Sequence, residues 1–218
     1  MNIVCLVFDG LTALDAVGPI EVLARLPGAQ VRLVAPQRGS IRTDDQCLTL
    51  QVEHDLESVT QADLLLVPGG FGTRRLMTDE RVLKWLRAID RTTQITASVC
   101  TGALLLAAAG LLKGRRANTH WAVREQLAKL GALPVPDRYV RDGKYACAAG
   151  VSAGIDLALA LAIEIAGTER AQAIQLMIEY DPQPPLDAGN AERAPAALRE
   201  MLRERMRARE ARETASHA

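Results

Sequence analysis

Two kinds of apolar pattern alternate along the chain. Runs at 3–8 (IVCLVF), 31–35 (VRLVA), 64–67 (LLLV) and 94–99 (QITASV) predict short strands. The uninterrupted ones have the signature of strands buried on both faces. Apolar residues at helical spacing over 15–26, 80–90, 102–112, 121–130, 151–166 and 168–179 predict helices between and after them. Turn signals at Asp9-Gly10, Pro27-Gly28, Pro68-Gly69-Gly70 and Gly167 separate these elements. Residues 40–43 and 48–52 predict two further short strands in a mixed region. Residues 139–142 and 144–148 flank Gly143 as a hairpin. The proline-rich stretch 181–185 cannot be helical. It leads towards a terminal helix over 199–213 that holds six Arg and four Glu.

Strands alternating with helices predict an α/β fold, a three-layer, mostly parallel sheet flanked by helices. In such sheets ligands bind beyond the carboxyl ends of the strands. The loops to inspect are therefore 9–15, 68–73 and 99–102.

Composition narrows the function classes. At 218 residues the chain has room for one domain, or one domain with an extension. Apolar residues at 49% and charged residues at 24% are ordinary globular values. Lys plus Arg equals Asp plus Glu at 26 each, which argues against a basic nucleic-acid binder. Aromatics at 3% weigh against base-stacking platforms. The apolar start breaks at Asp9 and has no basic residues before it, too short for a signal peptide or a membrane span. Residues 103–112 are interrupted by Gly110 and followed by Lys113 and Arg115, which predicts a buried helix. A cytoplasmic protein without membrane or nucleic-acid partners is expected. Cys5, Cys47, Cys100 and Cys147 form no C-x-x-C pair, and His54, His120 and His217 are scattered. No metal site and no cofactor is expected.

The chemistry concentrates at Cys100. It lies in S-V-C-T-G at 98–102, between a buried strand and an Ala/Leu helix. A nucleophile on such a turn projects from the sheet end towards a helix N-terminus, whose dipole and free N–H groups favour thiolate. A core cysteine is the alternative. Gly69 and Gly70 end a strand, where glycine N–H groups can bind a developing negative charge. A tight turn is the alternative. Asp15 stands ahead of an apolar helix and suits an N-cap. Facing the thiol instead, it would be protonated by burial and able to donate. His120 would have to lie near Cys100 to form a dyad, and a helix-start role is the plainer reading. Cys5 and Cys147 are expected in the core, and Cys47 has no assignment.

Three blocks resemble the ThiJ/PfpI superfamily, also described as class I glutamine amidotransferase-like. They are V-F-D-G-L-T-A-L-D-A-V-G-P at 7–19, L-L-V-P-G-G-F-G at 65–72 and S-V-C-T-G-A-L-L-L-A-A-A-G-L-L at 98–112. N-T-H-W at 118–121, G-V-S-A-G-I-D at 150–156 and I-E-Y-D-P-Q-P-P at 178–185 look like one branch, that of isonitrile hydratase and its relatives. The resemblance covers residues 1–195 and leaves 196–218 as a charged helix and tail. It implies a flavodoxin-like arrangement with a nucleophile elbow, and a homodimer. Cys100 falls on the nucleophile, Asp15 on its acidic partner, Thr101 on the following threonine. Gly70 and Thr101 fall on the backbone donors.

Two departures steer the choice of reaction. No H-x-E follows the glutamine amidotransferase pattern, since Trp121 and Ala122 follow His120. Thr101, not His, follows the nucleophile, unlike PfpI-type peptidases. The implied activity is hydration of an isonitrile, a small-molecule substrate, to an N-substituted formamide. Alternatives within the resemblance are a glyoxalase or deglycase-like enzyme, and the ligand-sensing domain of AraC-type regulators. The latter carry a following helix-turn-helix region, whereas 23 residues follow Pro195 here.

Overall fold

The computed structural model describes residues 1–215, side chains to 212, so His217 lies outside the described residues. The chain forms two compact units, one over Met1–Glu179 and one from Tyr180 onward. The division falls ahead of the 195/196 boundary read from the sequence.

In the first unit the strands are β1 (Asn2–Leu6), β2 (Gln30–Ala35), β3 (Gly39–Arg42), β4 (Thr49–Val52), β5 (His54–Asp55) and β6 (Leu64–Val67). After them come β7 (Ile95–Val99), β8 (Arg116–Ala117), β9 (Leu133–Pro134), β10 (Tyr139–Asp142) and β11 (Tyr145–Ala148). The helices are α1 (Ala13–Leu23), α2 (Thr73–Leu76), α3 (Glu80–Asp90), α4 (Gly102–Ala108), α5 (Arg124–Lys129), α6 (Ala153–Ala166) and α7 (Thr168–Met177). The second unit contains α8 (Ala196–Ala215).

Seven strands form one sheet in the order β10-β11-β7-β6-β1-β2-β5. Only the β10–β11 pair is antiparallel. The central strands β1, β6 and β7 are buried on both faces because helices flank the sheet, and Ile3, Leu6, Leu64 and Leu65 are fully buried. α1 packs on α6, while α4 packs on α2, α3 and α5. From β1 the chain moves to β2 on one side and later to β6 on the other. The strand order therefore reverses between β1 and β6, where α/β sheets open a crevice at their carboxyl ends. The loops after β1, β6 and β7 meet there.

The short elements β5, α2 and β9 are additional to the sequence expectation, α8 begins three residues early, and three expected helices near the site differ from it. The helix expected over 102–112 ends at Ala108, because Gly110 turns into the left-handed region at φ +81°. The helix expected over 121–130 opens as a 3-10 turn, Trp121–Val123, whose Ala122 amide is held by His120. α1 starts at Ala13, so Thr12 and not Asp15 is its N-cap residue. Cys5 and Cys147 are buried in strands, and Cys47 is exposed. No helix among the described residues is long and apolar enough to cross a membrane.

Close approach of backbones fixes the β7–α4 turn. A Cβ on Gly102 would lie 2.0 Å from the Val67 carbonyl oxygen and 2.8 Å from that of Pro68. Gly102→Ala should therefore cost about 2–3 kcal/mol of stability, as overpacking against backbone does. Urea unfolding measures it, and a loss below about 0.5 kcal/mol would contradict this packing.

Candidate active site

β7 carries the chain into Cys100, which sits at φ +56°. A non-glycine residue holds that conformation only when its surroundings force it, at a cost on the order of 1–3 kcal/mol. Both peptide groups of Cys100 are clamped. Its N–H donates to the Ala149 carbonyl at 2.7 Å, and its own carbonyl accepts from the Thr119 hydroxyl at 2.8 Å. Thr119 is fully buried, so the clamp belongs to the interior.

Asp15 reaches the same place from the first turn of α1 and is fully buried. Its Oδ2 accepts from the Gly69 N–H at 2.9 Å, while Oδ1 is buried without a conventional hydrogen-bond partner. The Cys100 thiol is the side-chain donor that faces this carboxyl. Burial is the largest influence on Asp15 and pushes its pKa up to about 7. The Gly69 amide and the Cys100 thiol pull it down, and the Asp44 carboxylate pushes it up again.

The thiol behaves differently from the sequence expectation. A helix N-terminus was expected to favour thiolate. Burial, then the Asp15 charge, instead raise Cys100 well above the ordinary thiol range. The Thr101 and Val151 backbone amides stabilise the sulfur anion without offsetting this. α4 has only seven residues, and desolvation of a buried anion outweighs a helix-end dipole. Cys100 therefore rests as a protonated thiol beside a carboxyl of raised pKa.

The glycine pair is also differently employed. Gly69 and Gly70 were expected to offer free N–H donors to a developing anion. Gly69 N–H holds Asp15, and Gly70 N–H donates to the Thr101 hydroxyl oxygen at 2.9 Å. That hydroxyl donates back to the Gly70 carbonyl at 3.1 Å, which the Thr73 hydroxyl also reaches at 2.7 Å. The amides left facing the sulfur are those of Thr101 and Val151. Gly69 serves by its size. A Cβ there would lie 2.5 Å from the Thr101 nitrogen and 2.8 Å from Asp15 Oδ2.

Val151 was missed in the sequence, although it lies inside the G-V-S-A-G stretch at 150–154. It stands at φ +36°, a position no side-chain pattern reveals. His120 lies close by. A Cβ on Gly150 would fall 2.7 Å from its ring. Burial first, then Arg74 and Arg124, lower its pKa to about 4 and keep it neutral. Its Nδ1 accepts from the Ala122 N–H at 3.4 Å, the helix-start role read from the sequence. Among the described residues no group of three His, Cys, Asp or Glu side chains is placed to hold a metal ion.

Residues 1–164 match the DJ-1/PfpI family, and the chain belongs to it. The chain is 44% identical over 200 residues to isonitrile hydratase from Pseudomonas putida, covering 92% of this chain and 87% of that protein. It is 26% identical to deglycase TK1284 from Thermococcus kodakarensis, over 66% of this chain and 87% of that one. A ThiJ/PfpI family protein from Pseudomonas syringae superposes with a TM-score of 0.90 at 36% identity, covering 93% of this chain and 84% of that chain.

The raised pKa of Asp15 has a consequence for stability. The folded protein binds this proton more tightly than the unfolded chain, whose value is near the ordinary 3.8. The carboxyl therefore carries no penalty below pH 4, and stability falls as pH rises towards 7. Asp15→Asn removes that dependence. Its stability relative to the unmodified protein should rise by about 3 kcal/mol between pH 5 and pH 8. Urea unfolding at both pH values measures the gap, and a pH-independent gap would contradict the raised pKa.

Proposed function

We propose that this chain hydrates isonitriles to N-substituted formamides, with Cys100 as nucleophile and Asp15 as proton carrier. The observation that carries the reading is the burial of a thiol against a carboxyl of raised pKa at a strained strand–helix turn. The similarity to isonitrile hydratase over most of both chains supports it, and the likeness to deglycases is weaker.

An isonitrile carbon accepts a nucleophile but bears no leaving group. The chemistry needs a sulfur nucleophile, one proton delivered to that carbon, and a water. In the reactive state the pair holds one proton. As the Cys100 sulfur bonds to the isonitrile carbon, its proton passes to Asp15 and from there to the same carbon. This leaves a thioimidate on Cys100. Water adds across its C=N bond, giving a tetrahedral adduct with an N–H. Collapse breaks the C–S bond, frees the formamide and passes the adduct's hydroxyl proton, which came from water, to the pair. Net, one water adds to one isonitrile. The Thr101 and Val151 amides steady negative charge on sulfur during attack and departure. The Thr101 hydroxyl ties the elbow to the Gly70 loop. A group that accepts and returns a proton works best with a pKa near the working pH, which burial gives Asp15.

Cys100→Ala should abolish formamide production from a simple alkyl isonitrile. Asp15→Asn, which keeps size and the Gly69 contact, should lower it by about 10²–10⁴-fold. The turnover rate of the unmodified protein should rise with pH through about 7 as Asp15 ionises. Normal turnover by Cys100→Ala would overturn the mechanism. Methylglyoxal consumption by the same sample without isonitrile consumption would favour the deglycase-like alternative.

A further inference from the structure

The hairpin β3–β4 stands outside the main sheet. Its turn nevertheless fastens onto the loop that leads into α1. Gly10 N–H donates to the Arg42 carbonyl at 2.8 Å, and Arg42 N–H donates to Asp9 Oδ1 at 2.9 Å. Leu11 and Thr43 form an isolated parallel bridge, and Asp44 N–H donates to the Leu11 carbonyl at 2.8 Å. The Thr12 hydroxyl then donates to Asp44 Oδ2 at 2.7 Å.

Thr12 links this hairpin to the candidate acid. Its N–H donates to the Gly69 carbonyl at 3.0 Å, and its carbonyl accepts from the Asp15 N–H at 3.1 Å. Gly69 N–H in turn holds Asp15 Oδ2. One carboxylate thus reaches, through a single threonine, both backbone segments that place the acid. We propose that Asp44 is a positioning residue for Asp15, bringing a second negative charge to the acid and holding it through Thr12. The proposal rests on the reading of Asp15 as the proton carrier.

The surroundings leave this role to Asp44. Within the elbow the titratable neighbour of Asp15 is Cys100, and the loop 68–70 contributes none. Asp9 is bonded to the Arg42 amide and Asp45 to the Thr43 hydroxyl, while Arg74 reaches the Thr73 hydroxyl. Repulsion from Asp44 disfavours ionisation of Asp15 and adds to the effect of burial. It brings the acid closer to the pH at which a proton is both taken and returned.

The test reads Asp15 directly, by carbon NMR titration of aspartate carboxyls with Asp15→Asn as the assignment control. Asp44→Asn should lower the Asp15 midpoint by about half a pH unit, and Asp44→Glu should restore it. Asp44→Ser serves as a second neutral variant if the amide disturbs the turn. The rising limb of the pH–rate profile should move down with the midpoint. At pH 6 the neutral variants would then run at about a two- to threefold larger fraction of their own plateau rate. An Asp15 midpoint unmoved in the neutral variants, or moved equally in Asp44→Glu, would overturn the proposal. The titration needs no substrate. A lack of isonitrile turnover would count against the proposed reaction alone.

Discussion

A carboxyl group and a thiol are buried together between three loops, and neither ionises there as it would in water. Desolvation raises Asp15 to about 7 and takes Cys100 well above the usual thiol range. Two negative charges are disfavoured in that space. As pH rises through about 7 the pair comes down to one proton, held on sulfur, which can pass to oxygen without leaving the protein. The proposed chemistry uses that single proton. It leaves sulfur when the nucleophile attacks and stays on carbon in the product, and a proton of the added water replaces it when the product departs.

The fold supplies the burial. Loops after β1, β6 and β7 converge where the strand order reverses, and buried strands lie beneath them. Convergence leaves no room for extra atoms. Gly69 lies where a Cβ would strike the Thr101 amide and the Asp15 carboxyl, and Gly102 runs against the Val67 carbonyl. Cys100 is held at positive φ by the hydrogen bond its N–H donates to Ala149 and the one its carbonyl accepts from Thr119, which keeps the sulfur beside the acid. The strain of the elbow is thus balanced by contacts from the β11–α6 connection and from the segment before α5.

Much of this frame is legible along the chain. The apolar runs that became β1, β6 and β7 mark themselves by burial on both faces. The turn residues after them point to the loops that meet. Cys100, Asp15, Thr101 and Gly69 are in one cluster; strand–turn–helix order points to the loops that hold them, and the family resemblance to Asp15 and Thr101 themselves. The protonation states are not legible in this way. A helix start after Cys100 suggests thiolate, and only the three-dimensional burial of the sulfur reverses that. Backbone donors are equally hidden. The Val151 amide faces the sulfur because of a local dihedral, while the Gly69 and Gly70 amides are taken by Asp15 and Thr101. Asp44 lies in a short hairpin whose docking onto the β1–α1 loop depends on main-chain hydrogen bonds that no residue pattern announces.

The protonation of the resting pair is the point on which the account stands. Thiolate ultraviolet absorbance, taken as the difference between the unmodified protein and Cys100→Ala, reads it directly and cancels the exposed Cys47. Followed from pH 5 to pH 9, the difference should stay flat, with the Cys100 thiol still protonated at the top of the range. A thiolate already formed at pH 6 would contradict the account, because the sulfur would then be governed by the helix end and the amides, not by burial beside Asp15.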